Sequence, residues 1–165
     1  MTQNTPTKQL PDRAQVVIVG GGVIGSSVAY HLTKLGWTDV VLLEQSKLTS
    51  GTTWHAAGLI VSGGMTTETS AWMAKYTREL YEVLEAETEL STGFSPVGYI
   101  QTGATPERLD KLRREADFLR CIGIEREEIS AAEVQAMWPM LDVGDVLAGF
   151  YTANEGRADP AEGFV

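Results

Sequence analysis

Two short apolar runs near the N-terminus predict two buried strands. Residues 16–19 and 40–43 are entirely apolar and rich in β-branched side chains, as is typical of strands inside a parallel sheet. Between them, the apolar positions of residues 23–35 recur with helical spacing, and Gly36 is suited to end that helix. Together these segments predict a βαβ unit, whose crossover connection we expect to be right-handed.

A long amphipathic helix is predicted over residues 66–90. Its apolar positions recur mainly at intervals of four residues. They form a stripe of Trp72, Met73, Tyr76, Leu80, Tyr81, Val83 and Leu84. Aromatic and aliphatic side chains at this spacing usually pack in a core, so we expect the stripe to be buried rather than to contact a cofactor.

Beyond Gly93 the pattern alternates between strands and helices. Strands are predicted over residues 97–102 and 146–152. Helices are expected to follow the capping residues Thr105 and Ser130. This mixture predicts the beginning of a second domain, of α+β type.

The composition indicates an ordinary globular protein, with 43% apolar and 21% charged residues. Its net charge of −9, from 13 basic and 22 acidic residues, argues against a nucleic-acid partner, which would require a basic face. Cys121 is the only cysteine, so neither an internal disulfide nor a thiolate metal cluster can form. The two histidines are far apart in the sequence, and we predict no metal site.

The apolar runs of the sequence are too short to cross a membrane. A membrane span needs about 20 apolar residues, whereas the run over residues 16–19 has the length of a strand. Residues 1–14 are polar and predict a loose leader, which lacks the apolar centre of a secretion signal. We therefore expect a cytoplasmic protein without a membrane partner.

A glycine-rich turn with the spacing G-x-G-x-x-G joins the first strand to the first helix. It reads Gly20-Gly21-Gly22-Val23-Ile24-Gly25. Gly20 is expected to make the turn, Gly22 to let the backbone approach a pyrophosphate, and Gly25 to pack the helix against the strand. The positive end of the helix favours phosphate, and Glu44 can accept hydrogen bonds from ribose hydroxyls. The arrangement predicts a dinucleotide cofactor without separating NAD from FAD.

The loop over residues 49–64 favours flavin over nicotinamide. An NAD site normally continues within a few residues to the next helix of the sheet. This chain instead runs through Ser50-Gly51-Thr52-Thr53, whose hydroxyl and amide groups suit a second approach to phosphate, and then through Trp54-His55-Ala56-Ala57-Gly58-Leu59. From the residues alone, His55 could hydrogen-bond within the loop or contact a flavin without a covalent link.

Residues 12–159 resemble the dimethylglycine and sarcosine dehydrogenase group of FAD-dependent amine oxidoreductases, which are relatives of D-amino-acid oxidase and glycine oxidase. Three segments carry the resemblance, namely residues 16–22, 42–45 and 50–59. The first two segments fit any flavoprotein of this superfamily, whereas the string W-H-A-A-G-L in the third is much more specific. A weaker match covers residues 146–151 and 156–160.

The resemblance implies a role for each motif. His55 would be joined covalently to the 8α carbon of the flavin, and the backbone of residues 51–59 would wrap the pyrophosphate and the isoalloxazine. Residues 23–24 would meet the phosphates, and residues 44–45 would face the adenosine ribose. The candidate cofactor-binding residues are Gly20, Gly22, Val23, Ile24, Gly25, Glu44, Gln45, Gly51, Thr52, Thr53, Trp54, His55, Ala56, Ala57, Gly58 and Leu59. No catalytic residue is assigned.

The implied reaction is the FAD-dependent oxidation of a small secondary or tertiary amine such as an N-methylglycine. A hydride would leave the N-methyl or α carbon, and the resulting iminium would hydrolyse to the demethylated amine and an aldehyde. The cofactor supplies the hydride chemistry, while the protein orients and tunes it. Electrons would pass to oxygen or to an electron-transfer flavoprotein. The alternatives are an NAD-dependent dehydrogenase and a truncated, non-catalytic nucleotide-binding fragment.

The resemblance also predicts how the chain is organised. Members of this group are considerably longer than this chain, so we expect an N-terminal portion, incomplete at its C-terminus and inactive or poorly folded by itself. The fold class is α/β, a Rossmann-like βαβ unit that binds FAD followed by the start of an α+β substrate domain. The expected divisions are a leader (1–14), the first part of the FAD-binding domain (15–92), the first part of the substrate domain (93–158) and the start of a returning helix (159–165).

Overall fold

The computed structural model describes residues 10–160, which form two compact units, 10–55 and 56–160. The helices are α1 (Val23–Lys34), α2 (Glu68–Thr88), α3 (Pro106–Cys121) and α4 (Ala131–Met137). The strands are β1 (Val16–Val19), β2 (Val40–Leu43), β3 (Leu59–Ile60), β4 (Tyr99–Gly103), β5 (Glu127–Ser130), β6 (Ala148–Thr152) and β7 (Gly156–Arg157). The boundary between the two compact units falls after residue 55. The predicted boundary after residue 92 separates a cofactor domain from a substrate domain, and it stays a prediction.

The first unit has the βαβ arrangement that the sequence predicts. β1 and β2 are parallel and pair in register along all four residues of each strand. α1 begins at the predicted residue, Val23, and ends at Lys34, one residue before its predicted end. Gly36 has a φ of +88°, the left-handed conformation that glycine adopts without strain just beyond a helix. Both predicted strands and the helix between them are confirmed.

The strands of the first unit are less buried than their apolar sequences predict. Val17 and Val19 in β1 are 53% and 85% exposed. Among the described residues, β1 pairs with β2 alone, in a sheet of two strands. A parallel strand becomes fully buried when neighbouring strands flank it and helices cover both faces of the sheet. A pair of strands leaves an edge and much of each face open, and the predicted burial is therefore wrong for the described residues.

The second unit contains a three-stranded antiparallel sheet in the order β4–β6–β5. β6 is its central strand, and Phe150 in β6 is 2% exposed. Leu109, Leu112 and Ala116 of α3 form a hydrophobic core with Ala148 and Phe150. β3 and β7 pair antiparallel in a separate two-stranded sheet. This is the mixed α+β arrangement that the sequence predicts for the start of a second domain.

The capping residues fix the starts of α3 and α4 as predicted. The Thr105 hydroxyl accepts the backbone N–H of Arg108 over 3.2 Å, and Pro106 occupies the first helical position. Ser130 and Glu133 form a capping box, in which the Glu133 carboxylate accepts the backbone N–H of Ser130 over 2.7 Å. Each such cap satisfies a backbone donor that the helix leaves free and contributes about 1 kcal/mol.

Most of the exposed residues in the apolar stripe of α2 lie on a different side of the helix from buried Ala71. Trp72, Tyr76 and Val83 are 52%, 47% and 53% exposed, whereas Ala71 and Tyr81 are buried. At about 100° per residue, the three exposed residues cluster roughly 100–140° around the helix from Ala71. The predicted burial is wrong for Trp72, Met73, Tyr76 and Val83, whereas it is correct for Tyr81.

β5 has no counterpart in the sequence prediction. Its sequence, Glu-Glu-Ile-Ser, lacks the apolar run or strict alternation that marks a strand, and its residues are largely exposed at the edge of the sheet. All but the first two residues of the predicted helix segment 159–165, and most of the predicted leader, lie outside the described residues. Within residues 10–160, none of the helices is both long and apolar enough to span a membrane.

Candidate cofactor-binding site

The turn between β1 and α1 brings two glycines into close approach. Gly20 has a φ of +106°, a conformation that other residues rarely adopt. A Cβ atom added to Gly25 would lie 1.9 Å from the carbonyl oxygen of Gly20. Glycine at position 25 therefore allows the first turn of α1 to lie against the end of β1, as the spacing of the motif predicts.

The N-terminus of α1 receives its cap from the loop that follows β2. Gly22 is the N-cap residue and makes no side-chain cap, whereas the Thr53 hydroxyl oxygen accepts the Val23 N–H over 3.0 Å. A Cβ atom at Gly22 would lie 2.8 Å from that same oxygen. The first turn of α1 holds no acidic residue, so its positive end keeps its attraction for an anion.

The Glu44 carboxylate, at the end of β2, faces the glycine turn. One of its oxygens accepts the backbone N–H of Gly21 over 2.7 Å, and the other accepts that of Ser46 over 2.9 Å. These bonds, with that from Gly21 the stronger cause, hold the pKa of Glu44 below its ordinary value. Glu44 is thus ionised at neutral pH, and each oxygen keeps a second lone pair with which to accept a hydroxyl.

Thr49 ties the following loop to the glycine turn, a contact that sequence reasoning missed. Its backbone N–H donates to the Gly21 carbonyl over 3.1 Å, and its own carbonyl accepts the Trp54 N–H over 3.2 Å. Thr49 is buried and has a φ of +61°, which is uncommon outside glycine. Nothing in the sequence marks this threonine, since its role comes from the backbone.

His55 ends a 3₁₀ turn over Thr53–His55 and is exposed. Its Nδ1 atom lies 3.2 Å from the carbonyl oxygen of Gly51, and its ring centre lies 4.3 Å from that of Trp54. A carbonyl oxygen only accepts, so this contact is a hydrogen bond when Nδ1 carries the proton. That tautomer leaves the lone pair of Nε2 free.

The predicted cofactor residues divide between the two units. Those up to His55 belong to the first unit, which brings the glycine turn, Glu44 and Thr53 together, whereas residues 56–59 belong to the second. Gly58 is buried there, and its carbonyl accepts the Ala158 N–H over 2.7 Å. The exposed members of the predicted set are Val23, Ile24, Gln45, Gly51, Thr52, Trp54, His55, Ala56, Ala57 and Leu59.

The second unit contains a buried cluster of charged side chains that sequence reasoning missed. Arg126 donates through Nη1 to Glu115 over 2.7 Å and to Gln101 over 2.9 Å, and through Nε to Thr152 over 3.1 Å. Its Nη2 atom lies 3.9 Å from Oε2 of Glu155. Arg126 lies in a charged run of the sequence that resembles a solvated surface, so no pattern marks it as buried.

Glu155 is the least satisfied member of this cluster. It is 2% exposed, and its Oε1 atom accepts both the backbone N–H and the hydroxyl of Ser62. Its Oε2 atom is buried without a hydrogen-bond partner among the described residues. Burial raises the pKa of Glu155, although Ser62 and Arg126 counteract that rise.

A parallel strand pair, a glycine turn against a helix N-terminus and an acid after the second strand define a dinucleotide-binding protein of Rossmann type. Residues 15–162 match the family described as FAD dependent oxidoreductase (DAO). The chain belongs to this family, and the resemblance and the α/β fold predicted from the sequence are confirmed. The match favours flavin over the nicotinamide alternative.

Two relatives and one solved structure illustrate the likeness. The chain is 42% identical over 153 residues to the mitochondrial pyruvate dehydrogenase phosphatase regulatory subunit of Mus musculus, covering 93% of the chain and 17% of that protein. It is also 42% identical over 154 residues to the mitochondrial dimethylglycine dehydrogenase of Homo sapiens, covering 92% and 17%. The crystal structure of L-proline dehydrogenase from P. horikoshii matches with a TM-score of 0.84 and 27% identity, over 93% of this chain and 40% of that one. The chain spans 17% of the length of the two relatives.

Proposed function

We propose that this chain is the FAD-binding N-terminal part of an enzyme that oxidises a small secondary or tertiary amine, such as an N-methylglycine. The observation that carries the proposal is the convergence of three groups on the glycine turn, namely the N-terminus of α1, the Glu44 carboxylate and the Thr53 hydroxyl. A phosphate is attracted by the first and third, and a ribose hydroxyl by the second.

The described residues fit an FAD molecule at this place. A Cβ atom at Gly20 or Gly51 would meet no atom within 4 Å, so the backbone is open there to close approach by a ligand. The Thr53 hydroxyl accepts from Val23 and still has its own proton to donate to a phosphate oxygen. In this proposal Gly22, Val23 and Ile24 bind the pyrophosphate, and Glu44 and Gln45 bind the adenosine ribose.

In the same proposal, His55 anchors the flavin covalently through Nε2. The contact between Nδ1 and the Gly51 carbonyl supports it, because the tautomer that donates to Gly51 has its free lone pair on Nε2. Residues 51–59 then wrap the pyrophosphate and the isoalloxazine. FAD, when bound, supplies the hydride acceptor, and the protein residues hold and orient it.

The substrate class is proposed from the relatives. One relative is a dimethylglycine dehydrogenase, so a small N-methylated amine is the favoured substrate. Another relative, at the same 42% identity, is a regulatory subunit, which supports a second candidate, a flavin-binding regulatory protein without turnover. We further propose a cytoplasmic location, transfer of electrons to oxygen or to an electron-transfer flavoprotein, and no turnover by the 165 residues alone.

The covalent anchor can be tested by acid precipitation of the protein expressed with its flavin. Flavin fluorescence should stay on the precipitated protein for the wild type and be lost in His55→Ala. His31→Ala is the matched control, because His31 is the other histidine of the chain and lies on α1. Release of all flavin from the wild type would contradict the covalent link and leave a non-covalent site.

Turnover separates the two candidate functions. Protein loaded with FAD is mixed with N-methylglycine or dimethylglycine, and flavin bleaching is followed without oxygen. Bleaching by either amine supports an amine-oxidising enzyme. Bound flavin that neither amine reduces, in a protein extended to the length of the relatives, favours the regulatory candidate. Steady turnover by the 165 residues alone would contradict the proposed inactivity.

A further inference from the structure

A cavity of about 140 Å³ lies within the second unit. Its wall is formed from the end of β3 and the residues after it, from α2, from residues 123–125 between α3 and β5, and from residues 152–155 at the end of β6 and before β7. Among the lining residues are Ser62, Lys75, Arg78, Glu125, Thr152 and Glu155. Ser62, Thr152 and Glu155 also belong to the buried cluster around Arg126, so the cavity reaches the least satisfied part of that cluster.

The charges of the buried cluster do not balance. Arg126, Glu115 and Glu155 are all at least nine-tenths buried, and they supply one cation against two carboxyl groups. Arg126 and Glu115 are in direct contact over 2.7 Å, whereas the nearest approach of Arg126 to Oε2 of Glu155 is 3.9 Å. A buried carboxylate oxygen without a donor is costly, so Glu155 is the group that a ligand would stabilise.

Lys75, on the same wall, is a cation that lacks a carboxylate partner among the described residues. It is partly buried, and its ammonium donates to the Ile122 carbonyl over 3.0 Å and lies 5.5 Å from the centre of the Trp72 ring. It makes no ion pair with any carboxylate among residues 10–160. An ammonium has three donors, so Lys75 can still bind an acceptor inside the cavity.

The other charged groups on the wall already have partners. Arg78 contacts Glu82 over 2.8 Å and Glu79 over 3.5 Å, both on its own helix, and its charge also lowers the pKa of Glu155 without a direct ion pair. Glu125 lies 4.0 Å from Arg120, and its side chain is largely exposed. Two groups of opposite sign therefore border one cavity without meeting each other, namely Lys75 and Glu155.

We propose that this cavity binds a small zwitterionic amino acid, whose ammonium group contacts Glu155 and whose carboxylate contacts Lys75. The volume suits such a molecule, since a cavity of about 150 Å³ accommodates benzene, with its six heavy atoms, and glycine or N-methylglycine is of that size. The hydroxyls of Ser62 and Thr152 and the partly apolar wall of Ile60 and Ile124 complete the site. Every residue that carries this inference lies in the second unit, so it does not depend on the proposed flavin site.

The test is a titration of the full chain, without flavin, with glycine, acetate and methylammonium, followed by calorimetry and by the backbone amide signal of Ser62. Glycine should bind at least about tenfold more tightly than either singly charged probe, because it satisfies both charges together. Lys75→Gln and Glu155→Gln should each weaken glycine binding by at least about tenfold. Lys111→Gln and Glu107→Gln, at exposed positions of α3, are the matched controls.

The two singly charged probes, acetate and methylammonium, still distinguish the outcomes if a variant loses stability. Lys75→Gln should abolish acetate binding and keep methylammonium binding, whereas Glu155→Gln should do the reverse. A general loss of folding cannot produce these opposite selectivities. The proposal is overturned if glycine does not bind the wild type, or if both variants bind it as the wild type does. Failure of the flavin tests would leave this result unchanged, since no flavin is present.

Discussion

The hydroxyl oxygen of Thr53 lies 3.0 Å from the backbone nitrogen of Val23 and accepts its hydrogen bond. The two residues are 30 positions apart, and the contact joins the loop after β2 to the first turn of α1. A cap usually comes from the residue just before a helix, but here that residue is glycine and a distant threonine replaces it. The geometry of the proposed phosphate site thus depends on the loop as well as on the glycine motif.

Thr53→Val should destabilise the chain by about 1 kcal/mol, because it removes the cap and leaves the shape of the side chain almost unchanged. Thr53→Ser keeps the hydroxyl and should cost less. Urea unfolding measures the stability of both variants. The affinity for FAD should fall more in Thr53→Val than in Thr53→Ser. Equal stability of the valine variant and the wild type would mean that the Val23 N–H finds another acceptor.

Gly25→Ala should destabilise the chain by about 1–3 kcal/mol and weaken FAD binding, because the added methyl group forces α1 away from β1. The expected clash is with the Gly20 carbonyl, 1.9 Å from the position of the new atom. Gly51→Ala is the matched control for stability, since its methyl group would meet nothing within 4 Å. The control should change the free energy of unfolding by less than about 0.5 kcal/mol.

Glu44 should stabilise the fold at neutral pH and lose that effect in acid. Its folded pKa lies below its ordinary value of 4.5, chiefly because the Gly21 N–H donates to it. The contribution is therefore present above pH 4.5 and is lost as the pH falls through the lower, folded pKa. The wild type should exceed Glu44→Gln in urea midpoint at pH 7, and the gap should narrow at pH values below the folded pKa. A gap that stays constant with pH would contradict this role.

Arg126→Met should lower the free energy of unfolding by about 3–5 kcal/mol, because it leaves two buried carboxyl groups without their cation. Arg113→Met is the matched control. Arg113 also contacts a carboxylate, that of Glu128 at 2.6 Å, but the pair is exposed, and its loss should cost less than about 1 kcal/mol. Chemical unfolding compares the stability of the two variants. Similar losses of stability in both would show that burial is not what makes Arg126 important.

Glu155 should show the opposite pH dependence to Glu44. Burial raises its folded pKa above the ordinary value of 4.5, so its contribution is present below pH 4.5 and is lost as the pH rises through the folded pKa. The stability of Glu155→Gln relative to the wild type should therefore increase with pH above 4.5. Urea midpoints at pH 4 and pH 8 measure the change, and a decrease would mean that Arg126 dominates over desolvation.

The sequence predicts the local features of the fold well and its burial poorly. Both strands and the helix of the βαβ unit follow from apolar runs and Gly36, and the starts of α3 and α4 follow from Thr105 and Ser130, because these signals act within a few residues. The open faces of β1 and the exposed part of the α2 stripe depend on which elements lie beside them, and the pattern of a single segment does not contain that information.

The same distinction applies to the candidate sites. Gly20, Gly25 and Glu44 follow from the spacing of a motif whose physical basis is local to a βαβ unit. The roles of Thr49 and Arg126 could not be predicted, because Thr49 acts through its backbone and Arg126 lies in a run of glutamates typical of a surface.

The contact between Ser62 and Glu155 also constrains the order in which the chain can fold. The two residues are 93 positions apart, and closing a loop of that length costs about 4 kcal/mol of chain entropy before any constant contribution. A growing polypeptide makes Arg126 after Gln101 and Glu115 but well before its partners Thr152 and Glu155, so the buried cluster is completed only when β6 and the residues after it emerge. The second unit is therefore expected to form late and in one cooperative step, and a nascent chain stopped before residue 152 should be readily cleaved by proteases.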